Sequence, residues 1–218
     1  MIFKDDFRNI LSQIEFDFIV TDPPYNINFK YNEYDDAKNH LDYVEMLANF
    51  ANLKSVFIGY PEQTISCYSQ ALGIPKTSLA WCYSSNIFKQ FRLINFYGFS
   101  PDLTKDFQPY KNPKDKRIKK RIENGSKGAR LYSWFSDIQL VKNTSKEKTG
   151  HPCPIPEKLI ERIIKIGCME GKTIFDPFMG SGTVGVVAER MGCKFIGSEI
   201  DDKYFDIARQ RLFQQPIQ

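Results

Sequence analysis

Short apolar runs alternate with helical apolar stripes along much of this chain, a pattern of strands followed by helices. Phe16 to Val20 predicts a buried strand, after which Leu41, Val44, Leu47, Ala48 and Ala51 share one helical face. Ser55 to Gly59 predicts a second strand, Glu62 to Leu72 a helix, and Leu79 to Tyr83 a strand that includes Trp81. Between residues 84 and 150 the pattern loosens, Pro and Gly recur, and only Lys114 to Ile122 carries a helical signal. This stretch is expected to be an irregular insertion off the sheet. Order returns after His151. Pro156 suits a helix start, where its missing N–H costs little, and Leu159, Ile160, Ile163 and Ile164 follow helical spacing to Gly167. A strand at Thr173 to Phe175 precedes a helix with Val184, Val187, Ala188 and Met191 on one face. A strand from Lys194 runs on to Glu199, and a last helix carries Tyr204, Ile207, Ala208 and Leu212. The expected fold is α/β: one domain over residues 1–218, built on an open, mostly parallel twisted sheet with helices on both faces.

Charge changes this picture in one region. Residues 111–130 hold nine Lys or Arg against Asp115 and Glu123, a local balance of +7 within a chain of net charge +4, so the remainder stands at −3. A basic cluster on a mildly acidic body is the electrostatic footprint of a nucleic-acid binder, and a solvated loop is the plainer alternative. Lys116, Arg117, Lys119, Lys120, Arg121, Lys127 and Arg130 are the candidate DNA contacts. The other compositional signals are exclusions. No apolar stretch approaches the length of a membrane span, and early acidic residues argue against a signal peptide. Five cysteines form no C-x-x-C pair and only His40 and His151 accompany them, so no metal site is expected. Reduced thiols in a cytoplasm follow.

The chemistry concentrates in two loops, each placed after a predicted strand, where open α/β sheets bind ligands. The later one, Asp176-Pro177-Phe178-Met179-Gly180-Ser181-Gly182-Thr183, enters a helix. Gly180 and Gly182 permit positive φ and close backbone approach, and the helix amino terminus favours a carboxylate, with Thr183 as a hydroxyl donor. Glu199 follows Gly180 by 19 residues at the next strand's end, the place for an acid gripping a ribose diol. The loop lacks G-x-G-x-x-G, so a dinucleotide site is not expected. The earlier loop, Thr21-Asp22-Pro23-Pro24-Tyr25-Asn26, offers a carboxylate, rigid carbonyls and an aromatic face. These suit a planar base bearing an amino group. Asp22 can accept one amino hydrogen and the Pro23 carbonyl the other, Pro24 stiffens the turn, and Tyr25 offers a stacking face.

Together the Asp22–Tyr25 and Asp176–Thr183 motifs resemble those of DNA amino-methyltransferases, which move a methyl group from S-adenosyl-L-methionine to an exocyclic base nitrogen. Their order, acceptor loop first and cofactor loop last with a basic insertion between, is that of the β class. The resemblance covers roughly residues 1–30 and 134–213 and implies a cofactor site of Asp22, His151, Asp176, Phe178, Gly180, Ser181, Gly182, Thr183, Glu199 and Tyr204. It also implies an acid ahead of the first loop, for which Asp5 and Asp6 are both candidates. His151 lies in His151-Pro152-Cys153-Pro154, similar to the family's motif before the cofactor strand. The implied activity is adenine-N6 methylation of a flipped base in DNA, because cytosine-N4 enzymes more often begin the acceptor motif with Ser. Cytosine-N4 methylation and a non-catalytic nucleic-acid-binding relative are the alternatives. A cytosine-C5 mechanism through Cys153 fails on placement, since that cysteine precedes the cofactor strand. The insertion is short for sequence-specific reading, which leaves a second copy of the chain or another subunit as a source of further surface. A companion restriction endonuclease is a further candidate partner.

Overall fold

The computed structural model describes residues 1–29, 35–85, 88–141 and 154–213. β1 (Ile2–Lys4) and the short α1 (Phe7–Ile10) lead into β2 (Phe18–Thr21), α2 (His40–Ala48) and β3 (Ser55–Gly59). Next, α3 (Pro61–Gln63) winds through a π-helical turn at Thr64–Tyr68 into α4 (Ser69–Leu72), and β4 (Thr77–Cys82) and β5 (Phe91–Tyr97) form a hairpin-like pair. The sheet excursion holds β6 (Phe107–Gln108), α5 (Lys116–Glu123) and β7 (Ala129–Arg130), and β8 (Trp134–Phe135) brings the chain back. The carboxyl-terminal part is α6 (Glu157–Ile166), β9 (Thr173–Asp176), α7 (Thr183–Arg190), β10 (Lys194–Glu199) and α8 (Asp202–Phe213).

Eight strands form one sheet in the order β1-β10-β9-β2-β3-β5-β4-β8. All neighbours are parallel except β5, which is antiparallel to both β3 and β4. The chain steps from β2 outward to β3 and from β9 in the opposite direction to β10. The β2–β9 join is therefore a topological switch point, where loops diverge and leave a crevice. Alternating strand residues feed two cores. Phe18, Val20, Val56 and Ile58 face Leu159, Ile163, Val184, Val187 and Ala208 of the later helices. Ile19, Phe57 and Phe175 face Phe7, Tyr43, Met46 and Tyr68 on the opposite side. Helices thus cover both faces, as the α/β pattern predicts.

Two expectations need correction, and one strand left no signal. Leu41 is 70% exposed, and α2 buries Tyr43 and Met46 beside the expected Leu47. Aromatic and thioether side chains one position away from the expected stripe reach the core. Residues 91–97, expected within the irregular insertion, form a central strand, so the excursion begins after Tyr97 and not at residue 84. Two buried polar residues mask the strand signal there. Asn95 donates to Thr64 Oγ1 (2.9 Å) and accepts from Ser78 (2.7 Å), while Arg92 contacts Asp22. β1, too short for a periodic signal, pairs with β10 at the sheet edge.

The basic segment is tied to this frame. β6 and β7 pair as an antiparallel ribbon from which α5 projects. At its base the buried Arg162 of α6 donates to Asp106 (2.9 Å), to Asp137 (2.7 and 2.9 Å) and to the Phe107 carbonyl (3.2 Å). A buried guanidinium satisfied by two carboxylates fixes direction well, and losing either acid would leave part of its N–H fork without an acceptor.

Candidate active site

β2 and β9 end side by side, and their last residues bond to each other. Thr21 donates its hydroxyl to Asp176 Oδ1 at 2.7 Å, and both side chains are buried. Asp176 also accepts the Phe178 N–H (3.1 Å), which starts the glycine turn. Gly180 and Gly182 have φ of 51° and 78°. At Gly182 a Cβ would lie 3.0 Å from the Ala208 Cβ, so α8 can pack on the turn only because that position is glycine. Arg211 of α8 reinforces it by donating to the Ser181 carbonyl (2.7 Å) and Thr183 Oγ1 (3.1 Å). At the end of β10, Glu199 accepts the N–H groups of Gly180 and Asp201, both at 2.9 Å. A carboxylate has about four acceptor positions, so these two bonds orient Glu199 and leave capacity for a ligand diol.

The acceptor loop follows Thr21. The Asp22 side chain retains 18% of its exposure, accepts a hydrogen bond from the Tyr25 hydroxyl, and lies 3.4 Å from Arg92 Nη1. Tyr25 is buried and packs edge-on against Tyr60, so its ring is not an open stacking face in this conformation. Tyr43 of α2 donates to the Pro24 carbonyl (2.5 Å), and buried Asp36 accepts the N–H groups of Asn26, Ile27 and Phe29 at 2.8–3.0 Å. Asn26 and Asn28, both at positive φ, make this tight wrap possible.

Both loops open onto one cavity of about 510 Å³. Asp22, Pro23, Pro24 and Tyr25 line it with Asp176, Phe178, Gly180, Ser181, Thr183, Glu199 and Tyr204. The structure therefore brings together most of the residues singled out in the sequence. Gly182 lies behind the wall against α8, and His151 is outside the described residues, as is Cys153. Of the two candidate acids ahead of the loop, Asp6 lines the cavity. It caps α1 through the Arg8 N–H, and its bonds to Arg8 hold its carboxyl below the usual range against the effect of burial. Asp5 instead accepts from Asp6 N–H and Asn9. Arg8, Lys38, Tyr60, Arg92 and Asp201 also line the cavity and were not foreseen. Arg92 alone left a sequence signal, as one cation inside an aromatic-aliphatic run of seven residues.

Burial dominates the electrostatics. It pushes Asp176 up to about 7, outweighing the hydrogen bonds from Thr21 and Phe178, and the charges of Asp22 and Glu199 add to the rise. Burial likewise raises Glu199 and Asp22; for Asp22 the charge of Arg92 and the Tyr25 hydroxyl oppose it. On the cavity wall Asp6, Asp22, Asp35, Asp176, Glu199 and Asp201 outnumber Arg8, Lys38 and Arg92, a balance that favours a cationic ligand.

The family model described as "DNA methylase" matches residues 16–210. The chain belongs to the DNA methylase family. Among curated relatives of these methylases, the type II methyltransferase M.HpaI of Haemophilus parainfluenzae is 30% identical over 225 residues, covering 93% of this chain and 69% of that sequence. M2.DpnII of Streptococcus pneumoniae is 51% identical over 73 residues, which cover 34% of this chain and 27% of the relative. In fold, the M1.HpyAVI–SAM complex superposes with a TM-score of 0.65 at 20% identity, covering 97% of this chain and 98% of the other. The cytosine-N4-specific PvuII DNA methyltransferase gives 0.66 at 17% identity, covering 100% and 87%. The mostly parallel sheet and the motif order expected of an amino-methyltransferase agree with this membership.

The raised Asp176 generates a stability prediction. The folded state holds this proton between the ordinary carboxyl range and about pH 7, so its ionisation removes stability as pH rises through that window. Asp176→Asn keeps an acceptor for Thr21 and cannot ionise. The variant's Tm relative to the parent should therefore rise between pH 4.5 and 8, measured by thermal melts without ligand. A difference independent of pH would mean that Asp176 is not held protonated.

Proposed function

We propose that this methylase transfers a methyl group from S-adenosylmethionine to the N6 amino group of adenine in DNA, on a base turned out of the duplex. The observation carrying this reading is that Asp22 and the glycine turn with Glu199 open onto one cavity. The residues present fit the cofactor: a positive-φ turn for close backbone approach, an oriented acid for the ribose, Phe178 as an apolar wall, and buried acids that favour a sulfonium. When bound, the cofactor supplies an electrophilic methyl group. Glu199 would hold the ribose hydroxyls, with Asp6 and Tyr204 on the cavity wall beside that half of the site.

An exocyclic amine is a poor nucleophile because its lone pair is delocalised into the ring. Asp22 and the Pro23 carbonyl would each accept one amino hydrogen, turning the lone pair toward the methyl group and stabilising the positive charge that develops on nitrogen. The Tyr25 hydroxyl now occupies an acceptor position on Asp22. Entry of the amine would displace it and swing the ring toward the base, the motion needed for Tyr25 to stack. Asp at the head of the motif favours adenine, and cytosine N4 remains the second reading because the same acceptors suit either amine. Base extrusion follows from chemistry, since a stacked amine cannot reach a recessed carboxylate.

Labelled S-adenosylmethionine with plasmid DNA, followed by nucleoside analysis, tests the reaction. The product expected is N6-methyl-2′-deoxyadenosine from the parent and at least about 100-fold less from Asp22→Ala, with cofactor affinity changed no more than about threefold. Label in N4-methylcytosine would reassign the base, and wild-type turnover in Asp22→Ala would remove the mechanism. Glu199→Ala should weaken cofactor binding about tenfold or more, read by calorimetry, since two hydroxyls lose a charged acceptor and the turn loses its brace. Unchanged affinity would detach Glu199 from the ribose.

The basic cluster is proposed as the DNA-facing surface. Lys116, Arg117, Lys119, Lys120 and Arg121 lie on α5, which buries none of its residues, and Lys127 and Arg130 are exposed beside it. One short helix cannot aim five cations at five bases, so most should meet phosphates. Neutralising Lys119, Lys120 and Arg121 together should weaken all DNA sequences alike. The salt slope should flatten by about 0.9 log units per lost phosphate contact. An unaltered slope in titrations at several salt concentrations would leave α5 without this role.

A further inference from the structure

Arg92 is the unexpected neighbour of Asp22. It projects from β5, the strand inserted antiparallel between β3 and β4, and is 6% exposed. Its guanidinium is 3.4 Å from Asp22 Oδ2 and lies 5.3–5.5 Å from the ring centroids of Tyr25, Tyr60 and Trp81. Its Nε is buried with no hydrogen-bond partner among the described residues. Burying a guanidinium against three rings and one carboxylate costs far more than placing an apolar side chain there, so its position is not explained by packing.

A carboxylate that accepts amino hydrogens must be ionised and correctly turned. Asp22 has both needs under pressure, because burial favours its neutral form and Asp176 lies close enough for their charges to interact. We propose that Arg92 is a positioning residue of the acceptor side: its guanidinium holds Asp22 charged and fixes its rotation, leaving Oδ1 to the Tyr25 hydroxyl and then to the target amine. This rests on the reading of Asp22 as the amine acceptor. The aromatic rings supply cation–π contacts that keep the guanidinium in place without neutralising it, as a second carboxylate would.

The groups facing this pair are Tyr25 from the acceptor loop, Tyr60 ahead of α3, Tyr68 in the π turn, Tyr83 after β4, and Asp176 of β9, with Glu199 beyond it. Burial holds Tyr25 and Tyr68 well above their ordinary values and Tyr83 up to about 12, so these three stay neutral at working pH. Asp176 and Glu199 belong to the cofactor half and are read separately by the pH dependence of cofactor affinity.

The test is single-turnover methylation from pH 5.5 to 9 with cofactor and DNA saturating, on the parent, Arg92→Met and Arg92→Lys. An opposite charge at this range depresses a carboxyl by about 1–3 pH units, so losing Arg92 moves the acid limb of the rate upward by at least about one unit. At pH 6.5 the Met variant should be slower by up to about tenfold for each unit of that shift, with cofactor affinity within about threefold of the parent by calorimetry. Arg92→Lys restores the charge but not the fork, and should return the limb to its parent position with a lower plateau. Should the Met variant not fold, Arg92→Gln carries the same expectation. An acid limb unmoved in the uncharged variant, or a loss of cofactor affinity matching the loss of rate, would overturn the proposal. Asp22→Ala separates the layers: if it keeps parent turnover, the acceptor reading itself fails. If it is inactive while Arg92→Met leaves the limb unmoved, the Arg92 role alone fails.

Discussion

The hydrogen bond from Thr21 to Asp176 joins the two halves of this methylase. It spans the ends of adjacent parallel strands from opposite ends of the chain, 155 positions apart. Without it, the acceptor loop and the glycine turn would each remain a plausible local motif with no fixed distance between them. The β2–β9 pairing sets the strand ends level, and the Thr21–Asp176 bond carries that alignment to the last residue of each strand, where the loops begin. Everything proposed of the chemistry depends on that shared frame, because orienting two reactants is worth more than any single contact to either.

The site also gathers negative charge and then restrains it. Asp22, Asp176 and Glu199 are all lifted by burial, and each is handled differently. Asp176 accepts two hydrogen bonds and is raised to about 7. Glu199 is braced by the Gly180 N–H of the glycine turn and the Asp201 N–H of its own. Asp22 is the one of the three that lies beside a guanidinium, that of Arg92. Such differences of environment are what the proposed accepting role of Asp22 and binding role of Glu199 rest on.

How much of this was legible in the residues depends on whether local pattern or tertiary contact decides. The two loops, the strands at Ser55 and Lys194 and the glycine stop after α6 were readable, because apolar periodicity and turn chemistry act within a few residues. β5 was not, since Arg92 and Asn95 occupy buried strand positions and are satisfied only by Asp22, Thr64 and Ser78 on other elements. The same cause hid the anchoring of the basic segment, for Arg162 reads as one polar residue in an amphipathic helix until Asp106 and Asp137 fold against it. Tyr25 shows the opposite limit. Its presence was evident, but its burial against Tyr60 and its bond to Asp22 belong to a conformation that sequence cannot specify.

One cavity is proposed to serve both halves of a methyl transfer. The direct test is a crystal structure with a non-reactive S-adenosylmethionine analogue. The ribose is expected on Glu199 and the group replacing the methyl within about 6 Å of an Asp22 oxygen. That separation leaves room for an amino nitrogen at hydrogen-bond distance from one and near-attack distance from the other. An analogue bound elsewhere, or bound with its methyl position turned away from Asp22, would contradict it.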